Sequence, residues 1–86
     1  MAGVYRVQLT PAAERDLLRI KDRTALNRIG QAIDSLAANP RPRGAKVLQG
    51  SSVLRIRIGD YRILYTVEDA SIVLVARVRH RREVYR

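Results

Sequence analysis

Leu54-Arg55-Ile56-Arg57-Ile58-Gly59-Asp60-Tyr61-Arg62-Ile63-Leu64-Tyr65 is the stretch that decides the fold. Residues 54–58 alternate apolar and basic without a break, the two-residue period of a half-buried strand. Gly59-Asp60 is a two-residue turn with Gly first, and the chain returns from Tyr61 to Glu68 as a second strand. With Gly59 and Asp60 as the loop, Ile58 faces Tyr61, Arg57 faces Arg62 and Ile56 faces Ile63. Directly opposite residues share a face of the sheet. Leu54, Ile56, Ile58, Tyr61, Ile63 and Tyr65 therefore form one apolar face, and Arg55, Arg57 and Arg62 all lie on the other. Like charges opposed across a ladder destabilise it, so Arg57 against Arg62 calls for an anion to offset the repulsion.

Working outward, Asp69-Ala70 turns the chain again. Ile72-Val73-Leu74-Val75-Ala76 is apolar at every position, as expected of a central strand covered on both faces. Arg77, Arg79 and Arg81 alternate onto one face if that strand continues, but the pattern does not say which face. Upstream, Tyr5, Val7 and Leu9 alternate in a short strand. Thr10-Pro11 reads as an N-cap with Pro at the first helical position. A short helix follows with Ala13, Leu17 and Ile20 on one side and Leu18 widening the stripe. Asp22 or Thr24 caps a second helix carrying Leu26, Ile29, Ile33 and Leu36, which ends at Asn39-Pro40. Residues 39–52 are irregular, with Val47 and Leu48 expected to pin the segment to the core. The order is β-α-α-β-β-β. The expected fold class is α+β, a helical hairpin packed on one face of a small, mostly antiparallel sheet.

The 86 residues are 47% hydrophobic and fit one domain, residues 1–86, with one core. The absence of Cys excludes disulfides and thiolate metal sites, and a single His builds no multi-histidine site, so neither metal nor cofactor is expected. Met1 to Thr10 lacks the apolar region of a signal peptide, and no apolar run approaches membrane-spanning length. A cytoplasmic protein with no membrane partner is the expectation. The net charge is +9, and fifteen of the seventeen bases are Arg. Residues 41–62 contribute +5 and residues 77–86 contribute +4, whereas 1–40 contribute +2 and 63–76 contribute −2. Such clustering points to a polyanionic partner, and the planar fork of Arg matches phosphate where Lys offers a point charge.

Chemistry is bounded in the same way. No carboxylate pair accompanies the basic cluster, no nucleophile elbow surrounds Ser51-Ser52, and the five Gly form no phosphate cradle. Without Trp or Phe there is no aromatic platform for stacking bases. A phosphate site with a proton-transfer group beside it remains. RNA suits such a site because its own 2′-OH attacks the adjacent phosphate, leaving a 2′,3′-cyclic phosphate and a 5′-OH. Arg55, Arg57 and Arg62 would stabilise the transition state. Tyr85 and His80 are both candidates for proton transfer, and residue type does not separate them.

The sequence resembles the RelE branch of the RelE/ParE toxin superfamily along nearly its whole length. The resemblance begins at Tyr5-Arg6-Val7, Thr10-Pro11-Ala12-Ala13 and Arg15-Asp16-Leu17, and runs through Asn39-Pro40-Arg41-Pro42, Lys46, Leu48 and Gly50. It is most specific in Arg55-Ile56-Arg57-Ile58-Gly59-Asp60-Tyr61-Arg62-Ile63-Leu64-Tyr65 and His80-Arg81-Arg82-Glu83-Val84-Tyr85. It implies the toxin of a type II toxin–antitoxin pair that cleaves mRNA in the ribosomal A site without a metal. The partners implied are the ribosome, mRNA and a cognate RelB-like antitoxin, with operator DNA reached only through that antitoxin. The catalytic positions map to Arg55, Arg57, Arg62, Arg81 and Tyr85, with Arg55 and Arg57 standing where relatives often have Lys. The resemblance favours Tyr85 over His80 as base. His80, Arg77, Arg79, Arg82 and Lys46 are further expected RNA contacts, and Arg15, Arg19, Lys21 and Arg28 give a diffuse basic surface for ribosomal RNA. Two other readings stay open: a ParE-like poison of DNA gyrase, and an inactive nucleic-acid-binding module of the same fold.

Overall fold

The computed structural model describes residues 4–69 and 71–84, folded as β1 (Arg6–Leu9), α1 (Pro11–Leu18), α2 (Arg23–Ser35), β2 (Lys46–Val47), β3 (Leu54–Ile58), β4 (Tyr61–Glu68), β5 (Ile72–His80) and α3 (Arg81–Val84). The five strands form one sheet in the order β1-β5-β4-β3-β2. β1 runs parallel to β5, and every other pairing is antiparallel. The α+β class and the mostly antiparallel sheet are as expected. The additions are β2 and α3, both too short for a periodic signal to announce.

The hairpin forms in the expected register, with Ile58 opposite Tyr61, Arg57 opposite Arg62 and Ile56 opposite Ile63. Gly59 occupies φ 59°, which explains why Gly leads the turn: the left-handed region costs it nothing. At the other end of β4 the turn carries Asp69 at φ 46°, and its carboxylate accepts from the N–H and hydroxyl of Ser71. Ala70 of that turn lies outside the described residues.

Both helices start on side-chain caps. Thr10 Oγ1 accepts from Ala13 N at 3.0 Å, with Pro11 opening α1. Asp22 Oδ1 accepts from Thr24 N and Ala25 N at the start of α2. Each cap satisfies donors that a helix leaves unpaired in its first turn. α1 lies along β5 and β1, and α2 lies against β3. Their apolar sides close over one core that joins Ala13, Ile29, Ile33 and Leu36 to Leu54, Ile56, Ile63, Tyr65, Val73, Val75 and Val78.

Four expectations change. α1 ends at Leu18, whose side is turned to solvent at 85% exposure, so it does not widen the apolar stripe; Leu17 and Ile20 pack on the core instead. Val47 is 63% exposed, because β2 pairs with β3 at the sheet's edge where no helix covers it. β5 is central in the sheet but covered on one face only: Val73 and Val75 are fully buried, whereas Ile72 and Leu74 on the outer face are half-buried. Finally, the strand does not continue through Arg81, which opens α3.

The irregular segment after α2 is tied down by Tyr65. This side chain is fully buried, and its hydroxyl donates to Pro40 O at 2.7 Å. Burial pushes the Tyr65 pKa up, with the nearby Arg41 charge opposing. Tyr65→Phe is expected to destabilise the fold by about 1–2 kcal/mol, the hydrogen bond plus an unsatisfied buried carbonyl, as read by denaturant unfolding. An unchanged midpoint would mean that water replaces the hydroxyl at Pro40.

Candidate functional site: a guanidinium row on the open face

The outer face of the sheet carries the bases. Across the three strands β3, β4 and β5, Arg57, Arg62 and Arg79 stand directly opposite one another. Beside this row runs a second, in which Lys46 faces Arg55, Arg55 faces Leu64 and Leu64 faces Arg77. Neighbouring strands lie about 4.8 Å apart, so the three arginine stems of the first row are stacked at near-contact spacing. Arg62, in the middle, is 7% exposed; Arg57 is exposed and Arg79 half-buried. Arg55 is half-buried, and its Nε is shielded from water with no hydrogen-bond partner. Cations so placed repel one another, and an anion across the row relieves that repulsion.

A β-bulge brings Arg79 to this face. Leu64 faces Arg77 but Tyr65 faces Val75, so Ala76 is an extra residue with no partner on β4. The bulge shifts the alternation by one. Val73, Val75 and Val78 all point into the core, and Arg77 and Arg79 emerge on the outer face with Arg57 and Arg62. The start of α1 holds the bulge: Thr10 N donates to Val75 O at 3.0 Å, and Thr10 Oγ1 donates to Ala76 O at 2.8 Å. Beyond Leu9, β1 no longer flanks β5, and α1 takes its place. Asp16 accepts Val78 N at 2.9 Å, Arg77 Nε at 2.8 Å and Arg77 Nη2 at 3.1 Å. Burial pushes the Asp16 carboxyl up, but the bonds from Arg77 and Val78 and the charges of Arg77 and Arg79 outweigh it and hold its pKa below the usual value.

Of the expected site residues, Arg55, Arg57, Arg62, Arg79 and Lys46 are brought to one face. Arg77 shares that face but its guanidinium wraps round the edge of β5 to Asp16. Arg81 is not brought into the row; it is exposed, with Nε 3.8 Å from Asp60 Oδ1 at the hairpin tip. Arg79, expected as an RNA contact, stands directly opposite Arg62. His80 faces Tyr61 on the helix side of the sheet, their rings edge to face with centroids 5.1 Å apart. Arg82 is exposed at the start of α3, and Tyr85 lies outside the described residues. Arg15, Arg19, Lys21 and Arg28 are all exposed on the helices. Among the described residues no three His, Asp or Glu side chains gather to hold a metal ion, and no helix is long and apolar enough to cross a membrane.

Comparison with known proteins follows the same line. Among curated proteins none matches the sequence significantly. A chain of the crystal structure of the toxin–antitoxin complex RelBE2 from Mycobacterium tuberculosis superposes with a TM-score of 0.78 at 31% identity, over 93% of this chain and 94% of that one. A chain of the archaeal RelE–RelB complex from Pyrococcus horikoshii gives a TM-score of 0.79 at 25% identity, over 91% and 96%. The chromosomal ParDE system of P. aeruginosa has the same fold, with a TM-score of 0.76 at 13% identity over 92% and 98%. The family described as the ParE toxin of type II toxin–antitoxin systems, parDE, matches residues 7–85. The chain therefore belongs to the ParE toxin family, within the RelE/ParE superfamily of type II toxins.

Proposed function

We propose that this toxin is a ribosome-dependent endoribonuclease that cuts mRNA in the A site and so stops translation. The observation that carries the reading is the row Arg57–Arg62–Arg79, with Arg55 beside it, on the face of the sheet opposite the core that α1 and α2 cover. A poison that acts only by holding another protein has no need of adjacent, mutually repelling guanidinium groups. In the reaction the 2′-oxygen forms a bond to phosphorus and the bond from phosphorus to the 5′-oxygen breaks. The 2′-OH loses a proton and the leaving 5′-oxygen gains one. Arg62, flanked by Arg57 and Arg79, stabilises the negative charge that builds on the phosphoryl oxygens. Tyr85 is assigned the task of taking the 2′-proton, the role that the resemblance favours for it. The adjacent 2′-OH is the nucleophile, so only RNA is cut.

The partners proposed are mRNA on the ribosome and a RelB-like antitoxin, as in the complexes from M. tuberculosis and P. horikoshii that this chain resembles. A basic domain of charge +9 suits an acidic antitoxin segment as well as RNA. Tyr85→Phe is expected to lower cleavage of ribosome-bound mRNA by about 10²–10⁴-fold, the usual share of a general base. The measurement is a toxin titration against programmed ribosomes with both product ends mapped; undiminished cleavage by Tyr85→Phe removes the base assignment.

A second reading rests on the family match, which is to ParE toxins. In that reading the chain binds DNA gyrase, and induced expression arrests growth with intact mRNA and broken chromosomal DNA. Truncated messages with intact DNA support the ribonuclease.

A further inference from the structure

Two strands cooperate where the chain leaves the sheet. Asp60 O, at the hairpin tip, accepts Arg81 N at 2.7 Å, and Arg81 Nε lies 3.8 Å from the Asp60 carboxylate. His80, the last residue of β5, accepts Arg82 N on its Nδ1 at 3.2 Å. The same imidazole meets the Tyr61 ring at an interplanar angle of 89°, and Tyr61 adjoins Asp60. The first two backbone N–H groups of α3 are thus both engaged, one by the hairpin tip and one by the side chain just before the helix. That second place is usually filled by Ser, Asp or Asn. A His filling it supplies the acceptor and also a ring that Tyr61 holds in place.

We propose that His80 is a positioning residue: by accepting Arg82 N–H on Nδ1 and by its contact with Tyr61 it sets the direction in which the C-terminal segment leaves β5. The consequence for catalysis rests on the ribonuclease reading, because that segment carries Tyr85; the positioning itself does not. His80 sits on the helix side of the sheet, away from the Arg57–Arg62–Arg79 row, which separates it from the phosphate and from the role of RNA contact.

Two amides separate the roles of the two ring nitrogens. Asn places its carbonyl oxygen where Nδ1 stands, and Gln places its oxygen where Nε2 stands. His80→Asn is expected to keep kcat within about threefold, whereas His80→Ala and His80→Gln lose about ten- to a hundredfold in kcat with little change in KM, the signature of a misplaced reacting group. Equal loss in all three variants would assign His80 to proton transfer and overturn the proposal, and a rise in KM alone would make it an RNA contact. An independent readout is amide hydrogen exchange in the isolated toxin. Arg82 N–H is expected to lose protection in His80→Ala and retain it in His80→Asn; equal protection in all variants overturns the positioning role. Wild-type toxin that cuts no ribosome-bound RNA would sink the ribonuclease reading alone, since the Arg82 exchange still decides the role of His80.

Discussion

Arg62→Ala is expected to lower cleavage of ribosome-bound mRNA by about 10²–10³-fold, equivalent to about 3–4 kcal/mol of transition-state stabilisation. Arg62 holds the middle of the row, with Arg57 on β3 and Arg79 on β5 directly opposite it. It is also the member most shielded from solvent, at 7% exposure, and a shielded charge acts on a phosphate with less screening than an exposed one. Arg57→Ala, at the exposed end of the row, should therefore cost less than Arg62→Ala. Arg62→Lys keeps the charge but loses the planar fork, and should fall between wild type and Ala. The control is a thermal melt. Removing a cation from between two others relieves repulsion while forfeiting the packing of its stem, so no collapse of stability is expected. A folded Arg62→Ala that cleaves at the wild-type rate would remove the row from the mechanism.

The largest stability effect is expected at Asp16. Its carboxylate accepts three N–H groups: one from the backbone of Val78 and two from the Arg77 guanidinium. Asp16→Ala leaves the buried Val78 N–H without its acceptor and takes the Asp16 carboxylate away from Arg77. Arg77 is 37% exposed, so water recovers part of its loss. The expected cost is about 2–4 kcal/mol, at the lower end of what breaking a buried charged pair brings. For a domain of this size each kcal/mol moves the melting temperature by roughly 4–8 °C, so a drop of ten degrees or more is expected. The pH dependence has a definite sign. The folded pKa of Asp16 lies below its unfolded value, so its stabilisation is complete above the ordinary carboxylate range and disappears as pH falls through the folded value. Asp16→Asn should flatten that acid-side slope. An acid profile unchanged in Asp16→Asn would show that other carboxylates set it.

Much of this architecture is legible in the sequence because the hairpin is locally over-determined. Gly59-Asp60 supplies the turn, the strict alternation of residues 54–58 supplies the face, and together they fix Arg57 against Arg62. The caps at Thr10 and Asp22 are legible for a similar reason, since each is a short polar side chain before an apolar helical period. What stays hidden is whatever depends on a change of register. Residues 72–76 are apolar throughout, so alternation carries no information there, and the bulge at Ala76 leaves no local mark. Its trace lies further on: Val73 and Val75 are two apart, but the next core residue, Val78, is three beyond. Arg79 is therefore assigned to the row by coordinates and not by pattern. Arg81 misleads for the converse reason: the alternation of 77, 79 and 81 looks like a strand, while the chain turns into α3 at the last of them. The exposure of Val47 follows from its place on an edge strand, which hydrophobicity alone does not report.

The replacement of β1 by α1 alongside the far end of β5 has a consequence for solubility. β5 is nine residues long and β1 only four, so the stretch beyond Val75 would otherwise present a bare rail of main-chain donors and acceptors. Thr10 and Asp16 blunt that rail by bonding to Val75, Ala76 and Val78. Any lesion that frees α1 uncovers a sticky edge on a chain already rich in Val and Ile, and the first symptom would be self-association and not simple unfolding.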